Sequence, residues 1–93
     1  MKSSRIRLTP EATQLIAKLP PEIKRLIRSA IDELRKDLYI GSELVGELAG
    51  YRSLKPKRYR IIYRINEEES FIEIYHLGHR RDVYETLRTL LRS

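Results

Sequence analysis

One short segment of the chain, residues 51–64, combines residue types that bind phosphate. Its sequence, YRSLKPKRYRIIYR, holds six basic residues, three tyrosines and no acidic residue. Arginine suits this chemistry because its planar guanidinium pairs with two phosphate oxygens and keeps its charge at physiological pH. The segment is therefore either a surface that binds a polyanion or an outer face whose charges are only solvated.

The basic segment accounts for the whole excess of positive charge. The protein has 19 Lys and Arg residues, 13 Asp and Glu residues and a net charge of +6. Because six of the basic residues lie in the segment, the rest of the chain carries 13 residues of each sign. Such a concentrated excess favours binding to a polyanion such as nucleic acid.

Composition narrows the remaining possibilities. A chain of 93 residues predicts one domain, residues 1–93, with a modest core. The absence of Cys excludes disulfides and cysteine-ligated zinc, and it favours a reducing, cytoplasmic setting. No compact His, Asp and Glu set has metal-ligand spacing, so we expect neither a metal nor a cofactor. No apolar run reaches the length of a membrane span, so we expect no membrane contact.

Hydrophobic periodicity predicts the elements that position the basic segment. Alternation in residues 4–8 indicates a strand, and helical spacing follows over residues 10–19 and again from Pro21 to Leu38. The pair Pro20–Pro21 separates the two helices, because proline is tolerated only in the first turn of a helix. Two amphipathic helices joined in this way predict an antiparallel hairpin.

The second half of the chain predicts a sheet and one more helix. Three strands are indicated at 51–55, 59–66 and 71–78, and helical spacing returns from Val83 to Leu91, with Asp82 as a candidate cap. The order β-α-α-β-β-β-α indicates an α+β fold, in which an N-terminal strand and a two-helix hairpin precede an antiparallel three-strand meander and a C-terminal helix.

Alternation along the strand 59–66 predicts where its side chains point. Tyr59, Ile61, Tyr63 and Ile65 share one face and are expected to pack on the helical hairpin. Arg60 then lies on the opposite, open face, in the part that the C-terminal helix leaves uncovered.

Two segments in the C-terminal half of the chain resemble a known family. The segments LVGELAGYRSLKPKRYRIIYRI and IEIYHLGHRRDVYE are similar to the RelE/ParE superfamily of bacterial and archaeal toxins from type II toxin–antitoxin systems. The most specific parts are RYRIIYRI and GHRRDVY. The likeness extends over nearly the whole chain, because the predicted helical hairpin also matches the family's order of elements.

The resemblance implies a small toxin whose target depends on the branch of the superfamily. RelE-like members cut messenger RNA in the ribosomal A site without a metal, through attack of the ribose 2′-hydroxyl on the adjacent phosphorus. ParE-like members mostly lack the catalytic residues and poison DNA gyrase. We expect a RelE-like endoribonuclease that inhibits translation, with a ParE-like poison as the alternative. The resemblance also implies a complex with an antitoxin, expected to be RelB-like with an acidic amphipathic helix.

Three residues match catalytic positions of RelE-like members. Arg60 matches the arginine of the YR strand motif and Arg80 the arginine after the last strand, and both would stabilise charge on the phosphorane. Tyr84 matches a tyrosine that acts as a base, which requires nearby cations, or as a stacking platform. Arg80 and Tyr84 are closer in sequence than the usual pair and share a face only if one helix includes both, so Arg81 is the alternative.

Further basic residues are expected to bind RNA or the ribosome. Arg52 takes the first position of a lysine pair found in RelE-like members, and the second falls on Leu54 or Lys55. A missing second lysine would weaken acid–base catalysis and favour the ParE-like branch. Lys57 and Arg58, at the predicted turn, are expected to contact phosphate.

The two histidines and Arg81 complete the candidates. His79 takes a position at which the family varies among basic residues, so we expect it, with Arg81, to contact RNA. His76 shares the predicted parity of Ile72 and Ile74, and although histidine is the usual base of metal-free ribonucleases, we expect His76 to be an ordinary sheet residue.

Overall fold

The computed structural model describes residues 5–92. The elements in this range, in chain order, are β1 (Arg5–Leu8), α1 (Pro10–Ala17), α2 (Pro21–Lys36), β2 (Ser42–Glu43), a 3₁₀ turn (Gly46–Leu48), β3 (Arg52–Leu54), β4 (Tyr59–Asn66), β5 (Phe71–His79) and α3 (Val83–Arg92). The α+β fold and the order of its principal elements are confirmed. The two-residue strand β2 and the 3₁₀ turn are additions that the sequence did not indicate.

The five strands form one sheet in the order β1-β5-β4-β3-β2. The pairs β2–β3, β3–β4 and β4–β5 are antiparallel, and β1 pairs with β5 in parallel. The predicted meander β3–β4–β5 therefore lies in the middle of the sheet, and the N-terminal strand extends it at one edge.

Local residue preferences set the ends of the helices. Thr9 caps α1, since its Oγ1 accepts a hydrogen bond from the Ala12 N–H at 3.1 Å, and Pro10 takes the first helical position. The Thr9 N–H donates to the Ile74 carbonyl at 3.1 Å, which anchors the start of α1 to β5. Helices α1 and α2 each end two residues before their predicted limits, and α2 gives way to extended backbone at Asp37.

The helical hairpin covers one face of the sheet, as alternation along β4 predicts. Ile61 and Tyr63 are fully buried there, and Tyr59 and Ile65 pack at the margins of the same cluster. The helices contribute Ala12, Ile27, Ala30 and Leu34.

Helix α3 covers part of the opposite face. Ile62 of β4 packs there with Leu48, Val83 and Leu87, and Tyr84 lies at the margin. A side-chain carbon at Gly78 would lie 3.7 Å from the Val83 side chain, so the start of α3 sits close to the end of β5. Arg60, two residues before Ile62, shares this α3 face by strand alternation.

A β-bulge interrupts the pairing of β5 with β4 immediately before His76. Ile62 pairs with His76, but the next residue, Tyr63, pairs with Ile74, so Tyr75 is the extra residue. Although His76 pairs with Ile62, its side chain lies beside Glu11 of α1, on the hairpin side where Ile72 and Ile74 also pack. The His76 side chain is 4% exposed, and its Nδ1 lies 3.6 Å from a Glu11 carboxylate oxygen without a hydrogen bond.

Candidate active site at the basic end of the sheet

Residues from two distant parts of the sequence meet where the β3–β4 turn lies beside the end of β5. The Tyr59 N–H donates to the Pro56 carbonyl at 2.9 Å, which closes a tight turn with Lys57 in the left-handed region at φ 54°. Tyr59 pairs with His79, and the Arg80 N–H donates to the Arg58 carbonyl at 2.7 Å. We call this region the basic end; it comprises Lys55, Lys57, Arg58, Arg60, His79, Arg80 and Arg81.

Arg60 is held in place at one edge of its guanidinium. Its Nη1 donates to the carbonyls of Tyr59 at 2.7 Å and Lys57 at 3.1 Å, and its side chain is partly buried. Within residues 5–92, Nε and Nη2 make no hydrogen bond. Because these two atoms form the fork that pairs with two oxygens of a phosphate, Arg60 is anchored and still able to bind an anion.

Arg80 reaches the Arg60 face through the strand and not through the helix. Helix α3 begins only at Val83, so the condition that one helix includes both Arg80 and Tyr84 is not met. The hydrogen bond from Arg80 to Arg58 instead extends the β4–β5 pairing by one step. Strand alternation then gives Arg80 the parity of Gly78, the cross-strand partner of Arg60.

Arg81 and His79 are arranged differently. The Arg81 N–H donates to Nδ1 of His79 at 3.2 Å. The His79 ring meets the Tyr59 ring edge-on, with 5.8 Å between centroids. His79 and Arg81 therefore lie at the basic end, and their contact with RNA stays a prediction.

Tyr84 is fixed at both its ring and its hydroxyl. The ring packs at the margin of the Ile62 cluster, and the hydroxyl lies 2.9 Å from the Ser53 Oγ. Ser53 pairs with Ile62 across β3 and β4, and Arg60 is the residue two positions before Ile62 on the same face of β4. Ser53 was missed in the sequence, because a neutral serine inside a basic segment carries no signal of its own.

The charges of the basic end are not neutralised by neighbours. Among the described residues, the side chains of Lys55, Lys57, Arg58, Arg80 and Arg81 make no ion pair or hydrogen bond. Arginines elsewhere do: Arg92 contacts both carboxylate oxygens of Glu47 at 2.8 Å. The basic end thus keeps a positive field that can attract and hold a polyanion.

Arg52 lies apart from this group, on the hairpin face of the sheet. Its Nε donates to the Tyr63 hydroxyl at 3.3 Å, and its Nη2 donates to the carbonyls of Tyr39 and Gly41. Its Nη1 lies 3.4 Å from a Glu43 carboxylate oxygen, and the side chain is only 15% exposed. The predicted contact between Arg52 and RNA is untested, but its guanidinium is already bound within the protein.

The Tyr63 hydroxyl is the centre of the Arg52 contacts. It donates to the Leu38 carbonyl at 2.9 Å and accepts from the Gly41 N–H at 3.1 Å as well as from Arg52. A side-chain carbon at Gly41 would lie 2.6 Å from this hydroxyl, so only glycine fits there. Arg52 therefore ties the loop after α2 to the sheet.

Leu54 and Lys55, the two residues that could take the second position of the lysine pair, differ in burial. Leu54 is buried in the hairpin-side core, whereas Lys55 is exposed immediately after β3. Since Leu54 pairs with Ile61, Lys55 follows the last β3–β4 pair at the level of Arg60. Lys55 is thus the residue available to take the role of the second lysine.

Residues 5–92 hold no group of three or more His, Cys, Asp or Glu side chains that could bind a metal ion. No helix within the same range is both long enough and apolar enough to cross a membrane.

Comparison with known proteins identifies the family. The family model described as the ParE toxin of the type II toxin–antitoxin system parDE matches residues 6–84. The chain belongs to this family. It is therefore a type II toxin of the RelE/ParE superfamily, which confirms the resemblance found in the sequence.

Individual relatives of this RelE/ParE chain carry RelE-type names. Toxin RelG of Mycobacterium tuberculosis is 37% identical over 81 residues, which cover 85% of this chain and 93% of RelG. The crystal structure of the toxin–antitoxin complex RelBE2 from the same organism matches with a TM-score of 0.76 at 32% identity, over 84% of this chain and 99% of that one. The isolated Escherichia coli RelE toxin shares the fold, with a TM-score of 0.73 at 15% identity over 97% and 98% of the two chains.

Proposed function

We propose that this toxin is a ribosome-dependent endoribonuclease that cuts messenger RNA and so inhibits translation. The observation that carries the proposal is the combination on the α3 face of an anchored Arg60 with a free Nε and Nη2 edge, Arg80 on the same side, and the Tyr84 hydroxyl nearby. RNA and the ribosome are both polyanions, for which the unpaired charges of the basic end are suited. The relative named RelG supports the RelE-like branch.

The reaction follows from these groups. The ribose 2′-oxygen attacks the adjacent phosphorus, its proton leaves to a base, and the bond to the 5′-oxygen breaks, so that the products are a 2′,3′-cyclic phosphate and a 5′-hydroxyl. Arg60 and Arg80 stabilise the negative charge that builds up on the phosphorane. Tyr84 takes the proton of the 2′-hydroxyl or stacks on the base, and Lys55 is the candidate acid for the leaving oxygen.

A ParE-like poison of DNA gyrase is the second candidate. The observation that favours it is the state of the lysine-pair positions, because Arg52 is bound to the hairpin-side loop and Leu54 is buried. Lys55 is then the single cation left to serve both positions, which would weaken acid–base catalysis. The family model, which describes a ParE toxin, points the same way.

Cleavage of RNA in cells separates the two candidates. Brief induction of the wild-type protein should stop growth and produce new messenger RNA ends inside coding regions. Arg60→Ala should lower the cleavage rate about 100- to 1000-fold and relieve the arrest, because a pre-placed cation at the developing charge is lost. Arg64→Ala, the same substitution four residues further along β4, is the matched control and should remain toxic. Full toxicity of Arg60→Ala, without new RNA ends, would support the gyrase poison.

We also propose that the chain is held by a RelB-like antitoxin through an acidic amphipathic helix. The relative RelBE2 was solved as a toxin–antitoxin complex, and the unpaired cations of the basic end complement an acidic segment. If the antitoxin covers the site directly, Arg80→Glu combined with Arg81→Glu should weaken its binding markedly in a titration. Unchanged affinity would place the antitoxin elsewhere, with steric exclusion from the ribosomal A site as the mode of neutralisation.

A further inference from the structure

We propose that Ser53 is a positioning residue for Tyr84, and that its hydroxyl fixes the direction of the Tyr84 hydroxyl at the basic end. The inference rests on the proposed endoribonuclease activity, because the direction of the Tyr84 hydroxyl affects the rate only if that hydroxyl takes part in the reaction. It adds to the proposed site a residue that lies outside the set of cations and tyrosines indicated by the sequence.

The first step is the exclusive pairing of the two hydroxyls. Ser53 is 1% exposed, so water does not reach its side chain, and the contact with Tyr84 at 2.9 Å is the hydrogen bond that its Oγ makes. A buried hydroxyl without a partner is costly, so Ser53 holds this bond in the folded state. The Tyr84 hydroxyl therefore has a fixed partner on the sheet.

The second step is that different contacts hold the Tyr84 ring and the Tyr84 hydroxyl. The Tyr84 ring packs at the margin of the cluster formed by Leu48, Ile62, Val83 and Leu87, and this contact does not involve Ser53. Removing the Ser53 hydroxyl leaves the ring packed and releases only the phenolic group. The effect on folding should then be small compared with the effect on a reaction that needs the hydroxyl at one position.

The third step is the location of the pair relative to the cations. Ser53 pairs with Ile62, and Arg60 lies two residues from Ile62 on the same face. Tyr84 is the second residue of α3, which begins shortly after the turn that carries Arg80. Ser53 thus links β3, which pairs with the strand that carries Arg60, to α3, which carries Tyr84.

The test is a double-mutant cycle of Ser53→Ala and Tyr84→Phe, measured with purified protein on ribosomes programmed with a defined messenger RNA. Ser53→Ala should lower kcat about 10- to 100-fold with KM nearly unchanged, since misplacement by about 1 Å has effects of this size. In the Tyr84→Phe background, Ser53→Ala should have no further effect on kcat, because it acts through the hydroxyl already removed. Ser42→Ala, the same substitution at the β2 residue paired with Ser53, is the matched control and should leave kcat unchanged.

Other results would overturn the inference in distinguishable ways. A wild-type kcat in Ser53→Ala, or an equal loss in both backgrounds, would show that Ser53 does not act through Tyr84 while the endoribonuclease proposal stands. Absence of cleavage by the wild-type protein on the same programmed ribosomes would instead refute the proposed function, and the role of Ser53 with it.

Discussion

Replacing Arg52 with alanine should lower the free energy of unfolding without weakening the proposed binding to RNA. The guanidinium donates to the Tyr63 hydroxyl and to the carbonyls of Tyr39 and Gly41, and it is 15% exposed. It lies on the hairpin face, away from Arg60. The substitution therefore removes a link between the loop after α2 and the sheet, although Arg52 belongs to the basic segment that the sequence connects with polyanion binding.

The size of the effect follows from these contacts. Hydrogen bonds from a charged donor contribute about 1.5 to 3 kcal/mol each, but bonds that share one guanidinium are not additive. The exposed Glu43 carboxylate adds little. A loss of about 2 to 4 kcal/mol is then expected for Arg52→Ala, which lowers the Tm by about 10 °C or more in a domain of this size.

Denaturant and thermal unfolding of the purified variants measure this loss. Arg64→Ala is the control, because Arg64 belongs to the same segment but only lies over the Tyr51 ring, with 5.5 Å to the centroid. That contact is worth about 1 kcal/mol or less. The reasoning would be refuted if Arg52→Ala unfolded like the wild-type protein and lost affinity for ribosomes instead.

Two further outcomes are expected. Binding to single-stranded RNA should weaken as salt rises. Arg58→Ala should reduce the slope of log K against log salt by about 0.7, while Arg64→Ala should leave the slope unchanged. Equal slopes in the wild-type protein and both variants would show that the basic end does not contact phosphate. Burial lowers the pKa of His76 below its usual value of 6.5, and the Glu11 carboxylate partly opposes this shift. As the pH falls, the unfolded chain therefore takes up a proton at His76 before the folded one does. The free energy of unfolding should then fall as the pH drops below 6.5. Urea titrations across this range should show a smaller fall for His76→Gln, and an identical fall would contradict the assignment.

Much of the fold could be predicted because its elements have strong local signals. Thr9 and Pro10 define the start of α1, and alternation along β4 separates the hairpin-facing Ile61 and Tyr63 from Ile62. The bulge at Tyr75 could not be predicted in this way. Its residue types alternate as in a regular strand, and the shift appears only in the pairing with β4, where Tyr75 is left without a cross-strand partner between Ile74 and His76.

The sequence indicated which cations could form a binding surface, but not what each of them contacts in the fold. Of the six basic residues in the segment 51–64, Arg52 ties down a loop and Arg64 lies at the far end of the face. The other four lie at the basic end, where Arg80 and Arg81 join them from a segment some twenty residues later. Charge density along the sequence indicated a polyanion surface, but it assigned equal weight to residues that the fold separates.

The register between β3 and β4 is what separates them. Leu54 pairs with Ile61, so Arg52 and Leu54 face the hairpin, and Ser53 faces α3. A slip of one residue would reverse every side chain of β3, because strand side chains alternate with a period of two. Arg52 would then face α3 and Ser53 would lose Tyr84. The tight turn at Pro56–Tyr59 joins β3 to β4 in the observed register, in which Arg52 lies on the hairpin face and Arg60 on the α3 face.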